Sequence, residues 1–169
     1  MNGFKDRLLV SFITLRHLQW VGLLALFIAA GTIPVLAQSA NFDPLTLSPG
    51  FAPATGTVQG YTGGSFSLSA IANRDRAGNL CLGYADSTPD HIMTLQQNFP
   101  QLTLQVDSGG NDTTLVIEGP NNVVRCADDT DRTNKDASIT DSNWPSGTYR
   151  IWVGAIASGA RYDYTLQAQ

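Results

Sequence analysis

The chain has 169 residues, a hydrophobic content of 43% and a formal net charge of −4, from 10 basic and 14 acidic side chains. This length suits one domain with a proper hydrophobic core. The acidic balance excludes nucleic acid and anionic membrane surfaces as partners, since both require a basic face.

The first 37 residues are predicted to be a signal peptide. Three basic residues form the n-region (Lys5, Arg7 and Arg16), and the apolar run Leu18–Ala37 follows. Val35-Leu36-Ala37 places small or branched residues at the −3 and −1 positions, so we expect cleavage after Ala37. The alternative is an uncleaved anchor, since about 20 apolar residues can span a bilayer. After cleavage no membrane span would remain.

The 132 residues after Ala37 contain 13 acidic and seven basic side chains, a net charge of −6. Twelve of these acidic residues are Asp and one is Glu. Asp favours turns and loops over helices because its short side chain bonds local backbone amides. This composition therefore indicates a loop-rich β-protein.

Residues 38–56 are predicted to form an extended N-terminal arm, ahead of a β-sandwich domain at 57–169. The segment Asn41–Phe51 contains two prolines, which limit it to extended or edge structure. We expect the arm to pack on the domain through Leu45, Leu47 and Phe51. The cluster Gly60–Gly64 predicts a turn.

Strand patterns then recur at short spacing. In one of them Leu102, Leu104 and Val106 alternate with Thr103 and Gln105. Period-2 alternation with frequent turn residues predicts an all-β, antiparallel sandwich of about 8–10 strands. The predicted strands are 66–70, 80–84, 92–95, 102–106, 115–117, 123–126, 137–140, 149–153 and 162–167, with a turn at 98–100.

Cys81 and Cys126 are the two cysteines of the chain. In an exported protein such a pair favours a disulfide, because oxidising compartments allow the bond to persist. The alternative is a pair of reduced, buried thiols. A zinc site is excluded, since no further cysteine is present to complete it.

The segment Val106–Gly110 is similar to the nucleophile loop of trypsin-like proteases, with Ser108 as the nucleophile. A serine nucleophile needs a histidine base within hydrogen-bonding reach and a third group that orients it. His91 is the histidine available after Ala37, and it lies 17 residues before Ser108. A serine hydrolase using Ser108 and His91 is therefore the alternative function, whereas the simpler interpretation is a strand end followed by a turn.

The segment Cys126–Asp136 contains four carboxylates, from Asp128, Asp129, Asp131 and Asp136. Close carboxylates repel one another unless a hard cation or basic side chains share the site, and Ca²⁺ takes 6–8 oxygen ligands. These four residues are therefore candidate calcium ligands. The alternative is a solvated loop that Arg125, Arg132 and Lys135 neutralise.

Trp144 and Trp152 are candidate ligand contacts. In the strand Tyr149–Val153, Trp152 shares a face with Arg150, while three apolar side chains (Tyr149, Ile151 and Val153) share the face that we assign to the core. Trp152 would then stack on a ligand, or the N-terminal arm would cover it.

Several segments resemble the bacterial pre-peptidase C-terminal domain, and more narrowly small exported proteins of cyanobacterial type that consist of one such domain. The similar segments are Asp90, Asp112–Ile117, Cys126–Asp129, Gly147–Tyr149 and Trp152–Gly154. The resemblance implies a jelly-roll-like sandwich that is usually appended to secreted enzymes as a non-catalytic module. It also implies calcium or extracellular polymers such as collagen as ligands of some relatives.

We therefore expect a non-catalytic binding or structural module that is secreted, periplasmic or held at the cell surface. Its expected partner is an extracellular polymer, an envelope component or another protein. Ca²⁺ is the candidate structural ion, and no other cofactor is predicted.

Overall fold

A computed structural model describes residues 39–169. The predicted signal peptide at 1–37 and its cleavage site lie outside these residues. Within them, no helix has both the length and the apolar character that crossing a membrane requires.

Residues 39–169 contain eleven β-strands and three short 3-10 turns, and they contain no α-helix. The strands are β1 (Leu45–Leu47), β2 (Thr57–Tyr61), β3 (Phe66–Ser67), β4 (Tyr84–Ala85), β5 (His91–Leu95), β6 (Phe99–Asp107), β7 (Thr113–Glu118), β8 (Val124–Ala127), β9 (Ser138–Trp144), β10 (Gly147–Ala155) and β11 (Asp163–Ala168). The all-β prediction is confirmed. The strand count exceeds the expected range because β1, in the arm, and β2 add to the nine predicted strands.

Two sheets face each other. The four-stranded sheet has the order β2-β11-β6-β9, with antiparallel pairing throughout. In the seven-stranded sheet, β10 lies between β5 and β7, while β1 pairs with β5, β8 pairs with β7, and β3 and β4 lie at the end of β10. The pairing of β1 with β5 is parallel, which departs from the predicted antiparallel arrangement. The chain crosses between the sheets repeatedly, as in a β-sandwich.

The main core lies between the two sheets. The alternating residues Leu102, Leu104 and Val106 of β6 are at most 1% exposed, and they face Ile151 and Val153 of β10, which are fully buried. Burying a side chain of this size stabilises the fold by about 1.5–3 kcal/mol relative to leaving it exposed. Period-2 alternation therefore correctly predicted which side chains of β6 and β10 form the core.

A second apolar cluster covers the outer face of the seven-stranded sheet. Segment 68–85 supplies Leu68 and Cys81, which pack with Val116 and Trp152 of the sheet. The disulfide between Cys81 and Cys126 joins this segment to β8, with Cα atoms 5.2 Å apart, and the predicted pairing is confirmed. Strands β7 and β8 and the part of β10 around Trp152 are thus buried on both faces.

The N-terminal arm is part of the sandwich. Leu45 and Leu47 lie in the main core and Phe51 packs against it. Ahead of β1, Asn41 N and Phe42 N donate hydrogen bonds to the carbonyl oxygens of residues 89 and 90 at 3.0 and 2.9 Å. The arm therefore belongs to the body of the domain instead of lying on its surface.

Four local predictions differ from the structure. The predicted strand 66–70 ends after β3, and residues 68–70 form a 3-10 turn. Residues 57–61 form β2, although Val58 is its single buried apolar residue. Position 60 of this strand needs Gly, because a Cβ there would lie 2.5 Å from Tyr164 Oη. Residues 80–83 are not a strand, since Gly83 has a φ of +92°. The predicted turn at 98–100 is the start of β6, because the ring of Phe99 enters the core.

Two buried ionisable residues, Asp90 and His91, attach the arm to the body. His91 Nδ1 lies 2.8 Å from the carbonyl oxygen of Asp43, and Nε2 lies 2.9 Å from Tyr164 Oη. Because a carbonyl can only accept, Nδ1 carries the proton, and in the neutral ring Nε2 accepts from Tyr164. Burial lowers the pKa of His91, so the ring is held in this neutral form.

Asp90 is 4% exposed. Its carboxylate accepts hydrogen bonds from Val153 N at 2.8 Å and from Asn41 Nδ2 at 3.4 Å. Burial, with a smaller contribution from the charge of Asp86, raises the pKa of Asp90 to about 7. The protonated carboxyl is therefore favoured in the folded state over a wide range of pH.

The raised pKa of Asp90 predicts a pH-dependent stability. The protonated carboxyl of Asp90 makes a contribution to stability that is fully present below its ordinary pKa near 3.8 and is lost as the pH rises through about 7. This contribution is at most about 4 kcal/mol. His91 acts in the opposite direction, since a lowered pKa favours folding above its ordinary value of 6.5. We expect Asp90→Asn to remove the first contribution, so that the variant gains stability relative to wild type between pH 5 and 8. Urea unfolding across this range measures the difference, and parallel profiles would contradict the prediction.

The disulfide predicts a second effect on stability. The bond spans 45 residues, and closing a loop of that length in the unfolded chain stabilises the fold by about 4 kcal/mol. We expect reductant to lower the urea midpoint of the wild type accordingly. The double variant Cys81→Ser/Cys126→Ser should have the lower midpoint with or without reductant. Superimposable wild-type curves in the two conditions would refute a stabilising bond.

Candidate cation site

Three carboxylates meet at one end of the seven-stranded sheet. Each of Asp112, Asp128 and Asp129 offers an oxygen, and these oxygens lie within 4.8 Å of one another. The pairing of β7 with β8 explains the meeting, because Leu115 lies opposite Ala127. Asp112 immediately precedes β7, and Asp128 and Asp129 immediately follow β8. We call these three residues the acidic cluster.

The acidic cluster is electrostatically unbalanced. Burial raises the pKa of Asp128, and the nearby charges of Asp129 and Asp112 raise it further. Lys135 Nζ forms an ion pair with Asp129 Oδ2, and this bond raises the pKa of the Lys135 ammonium. One ammonium group faces three carboxylates, so negative charge remains in excess.

Two carboxylate oxygens of the cluster have unmet hydrogen-bonding capacity. Asp128 Oδ1 and Asp129 Oδ1 are buried and have no hydrogen-bond partner among residues 39–169. Leaving a buried acceptor without a partner costs about 1–3 kcal/mol, and more when the group is charged. A divalent cation with oxygen ligands, such as Ca²⁺, would satisfy both oxygens and balance the charge. The donor set therefore fits this ion, with water or backbone carbonyls completing its coordination.

Two of the four predicted calcium ligands lie outside the acidic cluster. Asp131 is exposed, and its Oδ1 accepts hydrogen bonds from the backbone N–H groups of Thr133 and Asn134 at 2.7 and 2.9 Å. These bonds, with that of the Thr133 hydroxyl, lower the pKa of Asp131. Asp131 therefore stabilises its own turn and is not brought to the cluster.

Asp136 is buried and stabilises the turn after β6. Its Oδ1 accepts from Ser108 N at 2.9 Å and from the Ser108 hydroxyl, and its Oδ2 accepts from Gly110 N at 2.9 Å. Asp112, which the loop composition did not suggest, takes the place of Asp131 and Asp136 in the cluster. The antiparallel pairing of 113–118 with 124–127 was the signal that could have identified it.

Ser108 and His91 do not form a catalytic pair. The Ser108 hydroxyl donates to Asp136, and both ring nitrogens of His91 are engaged with Asp43 and Tyr164. A serine nucleophile requires a ring nitrogen that can take its proton. In the structure, segment Val106–Gly110 is a strand end followed by a turn, which was the simpler interpretation of its sequence.

Both predicted tryptophan contacts are wrong, because the two rings are buried. Trp144 is fully buried in the main core, where the guanidinium of Arg125 stacks 4.0 Å from its ring centroid. Trp152 is 4% exposed, and segment 68–85 covers it instead of the N-terminal arm. The assignment of Trp152 to the face opposite the main core is confirmed.

No family model and no curated protein matches this chain. Among solved structures, it is similar to the pre-peptidase C-terminal domain of a collagenase from Bacillus anthracis, with a TM-score of 0.42 and 11% identity over 75% of this chain and 94% of that one. It is also similar to PliG, a periplasmic inhibitor of g-type lysozyme from Aeromonas hydrophila, with a TM-score of 0.36 and 18% identity over 75% and 97% of the two chains. The type of domain that the sequence resembles is thus among the structures to which the chain is similar.

Proposed function

We propose that this protein is an exported, non-catalytic binding module whose fold is stabilised by a divalent cation, with Ca²⁺ as the preferred ion. The observation that carries the proposal is the pair of buried carboxylate oxygens, on Asp128 and Asp129, that lack partners within residues 39–169. A structural ion would convert this local cost into a net stabilisation.

The disulfide supports export. Bonds of this kind persist in oxidising compartments such as the periplasm and the extracellular space, and are rare in the cytosol. Cys81 and Cys126 are 1% and 3% exposed, so the bond is embedded in packed structure. A secreted, periplasmic or surface location agrees with that environment.

The absence of a nucleophile–base pair between Ser108 and His91 supports a non-catalytic role. Ser108 contributes to a turn that Asp136 organises, and His91 contributes to the attachment of the arm. Both residues therefore have a structural explanation that requires no substrate. The partner of a binding module would then be an extracellular polymer, an envelope component or a protein.

The cation proposal predicts that added Ca²⁺ raises the melting temperature. A ligand that binds only the folded state, at about 100 times its Kd, stabilises it by about 2.7 kcal/mol, which is roughly 5–10 °C for a domain of this size. Asp128→Asn should abolish the increase. In chelator the variant should be at least as stable as wild type, because it removes a charge that burial and the repulsion from Asp129 and Asp112 disfavour, as the raised pKa of Asp128 reflects. Differential scanning calorimetry in chelator and in millimolar Ca²⁺ measures both effects.

Asp131→Asn is the matched control for this experiment. An asparagine oxygen still accepts the two backbone hydrogen bonds of the turn, and Asp131 lies outside the acidic cluster. We expect this variant to retain the full increase with Ca²⁺. Identical wild-type melting curves in chelator and Ca²⁺ would reject the cation, and loss of the increase in Asp131→Asn alone would reject the acidic cluster as its site.

The non-catalytic role predicts that Ser108 is unreactive. We expect a fluorophosphonate probe to label neither the wild type nor Ser108→Ala, because both ring nitrogens of His91, the one histidine within residues 39–169, are engaged elsewhere and cannot accept the serine proton. A serine hydrolase of known activity provides the positive control. Labelling of the wild type that disappears in Ser108→Ala would establish the hydrolase alternative instead.

A further inference from the structure

The outer face of the four-stranded sheet carries hydroxyl and amide side chains in register. One row crosses all four strands through Thr57, Gln167, Gln105 and Ser138. The next row contains Thr103 and Thr140, whose hydroxyl oxygens lie 2.8 Å apart. We call these six residues the neutral face, since neither row contains a charged side chain. The row on the other side of Gln105 and Gln167 contains the exposed carboxylate of Asp107 and marks the limit of this face.

The neutral face is accessible in the domain. Thr57 and Thr140 are exposed, and the other four residues are partly exposed. Their neighbours along β6 and β11, such as Leu104 and Leu166, point into the main core and are fully buried. Within residues 39–169 no segment covers this face, whereas segment 68–85 covers the outer face of the opposite sheet.

A cavity of about 690 Å³ lies at one end of the neutral face. Its apolar wall includes Phe51 and Phe99, whose ring centroids are 6.1 Å apart, and its rim includes the side chains of Gln101 and Gln167. No charged residue lines it. Apolar walls with a few amide groups are typical of sites that bind small neutral ligands.

We propose that the neutral face and this cavity bind an uncharged, hydroxyl-rich polysaccharide. Hydroxyl and amide groups both donate and accept hydrogen bonds, so they match sugar hydroxyls without the desolvation of a charge. The apolar wall offers the partly exposed ring of Phe51, which packs against the buried ring of Phe99, to the C–H face of a sugar ring. The inference rests on the proposed function, for which it names the site and the class of polymer.

The composition of the neutral face disfavours charged polymers. Anionic polysaccharides need Lys or Arg, and the two rows contain neither. The chain as a whole is negative, with a net charge of −4, so an anionic polymer would also be repelled. A regular sheet repeats its side chains about every 6.8 Å along a strand and 4.8 Å between strands. Such a surface can hold a repeating polymer through many weak contacts.

Depletion from solution by insoluble cellulose, chitin and starch tests the proposal. We expect saturable binding of the wild type to at least one of these neutral polymers. Gln105→Glu/Gln167→Glu places two negative charges opposite each other in one row, and we expect it to weaken that binding at least tenfold. Gln97→Glu makes the same chemical change at an exposed turn outside the neutral face, and it should bind like the wild type. Gln101→Glu, at the rim of the cavity, replaces the double variant if circular dichroism shows that the latter is unfolded.

Two results would overturn the inference. One is no wild-type binding to any of the three neutral polymers, and the other is equal binding by the wild type and the variants of the neutral face. Collagen and alginate serve as protein and anionic polymers in parallel assays. Wild-type binding to collagen or alginate, with no binding to the three neutral polymers, would reject the neutral face while leaving the proposed binding module intact. The calcium and fluorophosphonate experiments test that function separately.

Discussion

The disulfide between Cys81 and Cys126 determines which surfaces of this protein are available. It holds segment 68–85 against the outer face of the seven-stranded sheet, where Cys81 and Leu68 pack on Trp152. Strands β7 and β8 and the part of β10 around Trp152 are therefore buried on both faces, whereas the opposite sheet has one face towards solvent. The same bond anchors β8 directly before Asp128 and Asp129, so the acidic cluster begins at a rigid position.

Rigidity matters for the acidic cluster because its charges would otherwise separate. Like charges in a flexible loop move apart into water, but Asp112 and Asp128 are held by strands whose register is set by the pairing of Leu115 with Ala127. Burial, together with the retained repulsion from Asp129 and Asp112, therefore raises the pKa of Asp128 in the folded state. A cation is the simplest group that turns such an arrangement into an attraction, since it supplies a charge that Lys135 alone does not.

Residue patterns predicted the parts of the fold that repeat, and missed those that depend on contacts distant in sequence. Alternation identified β6 and the core face of β10, and the exported context identified the disulfide. β2 was missed because Val58 is its single buried apolar residue. Asp112 and the burial of Trp144 were missed for one reason, namely that each depends on which strands become neighbours. A loop sequence shows how many carboxylates it contains, but the register of β7 and β8 decides which of them meet.

The neutral face differs from these features because the main core does not determine its composition. The inward positions of β6 and β11 must be apolar, since Leu104 and Leu166 fill the core. The outward positions carry no such requirement, and charged side chains there would favour solubility and oppose unwanted association. Four hydroxyl and amide residues lie in register across four strands, and the Thr103–Thr140 pair lies in the next row; the proposed polysaccharide site uses these two rows. The hydroxyls of a neutral polysaccharide match the donors and acceptors that such a face presents.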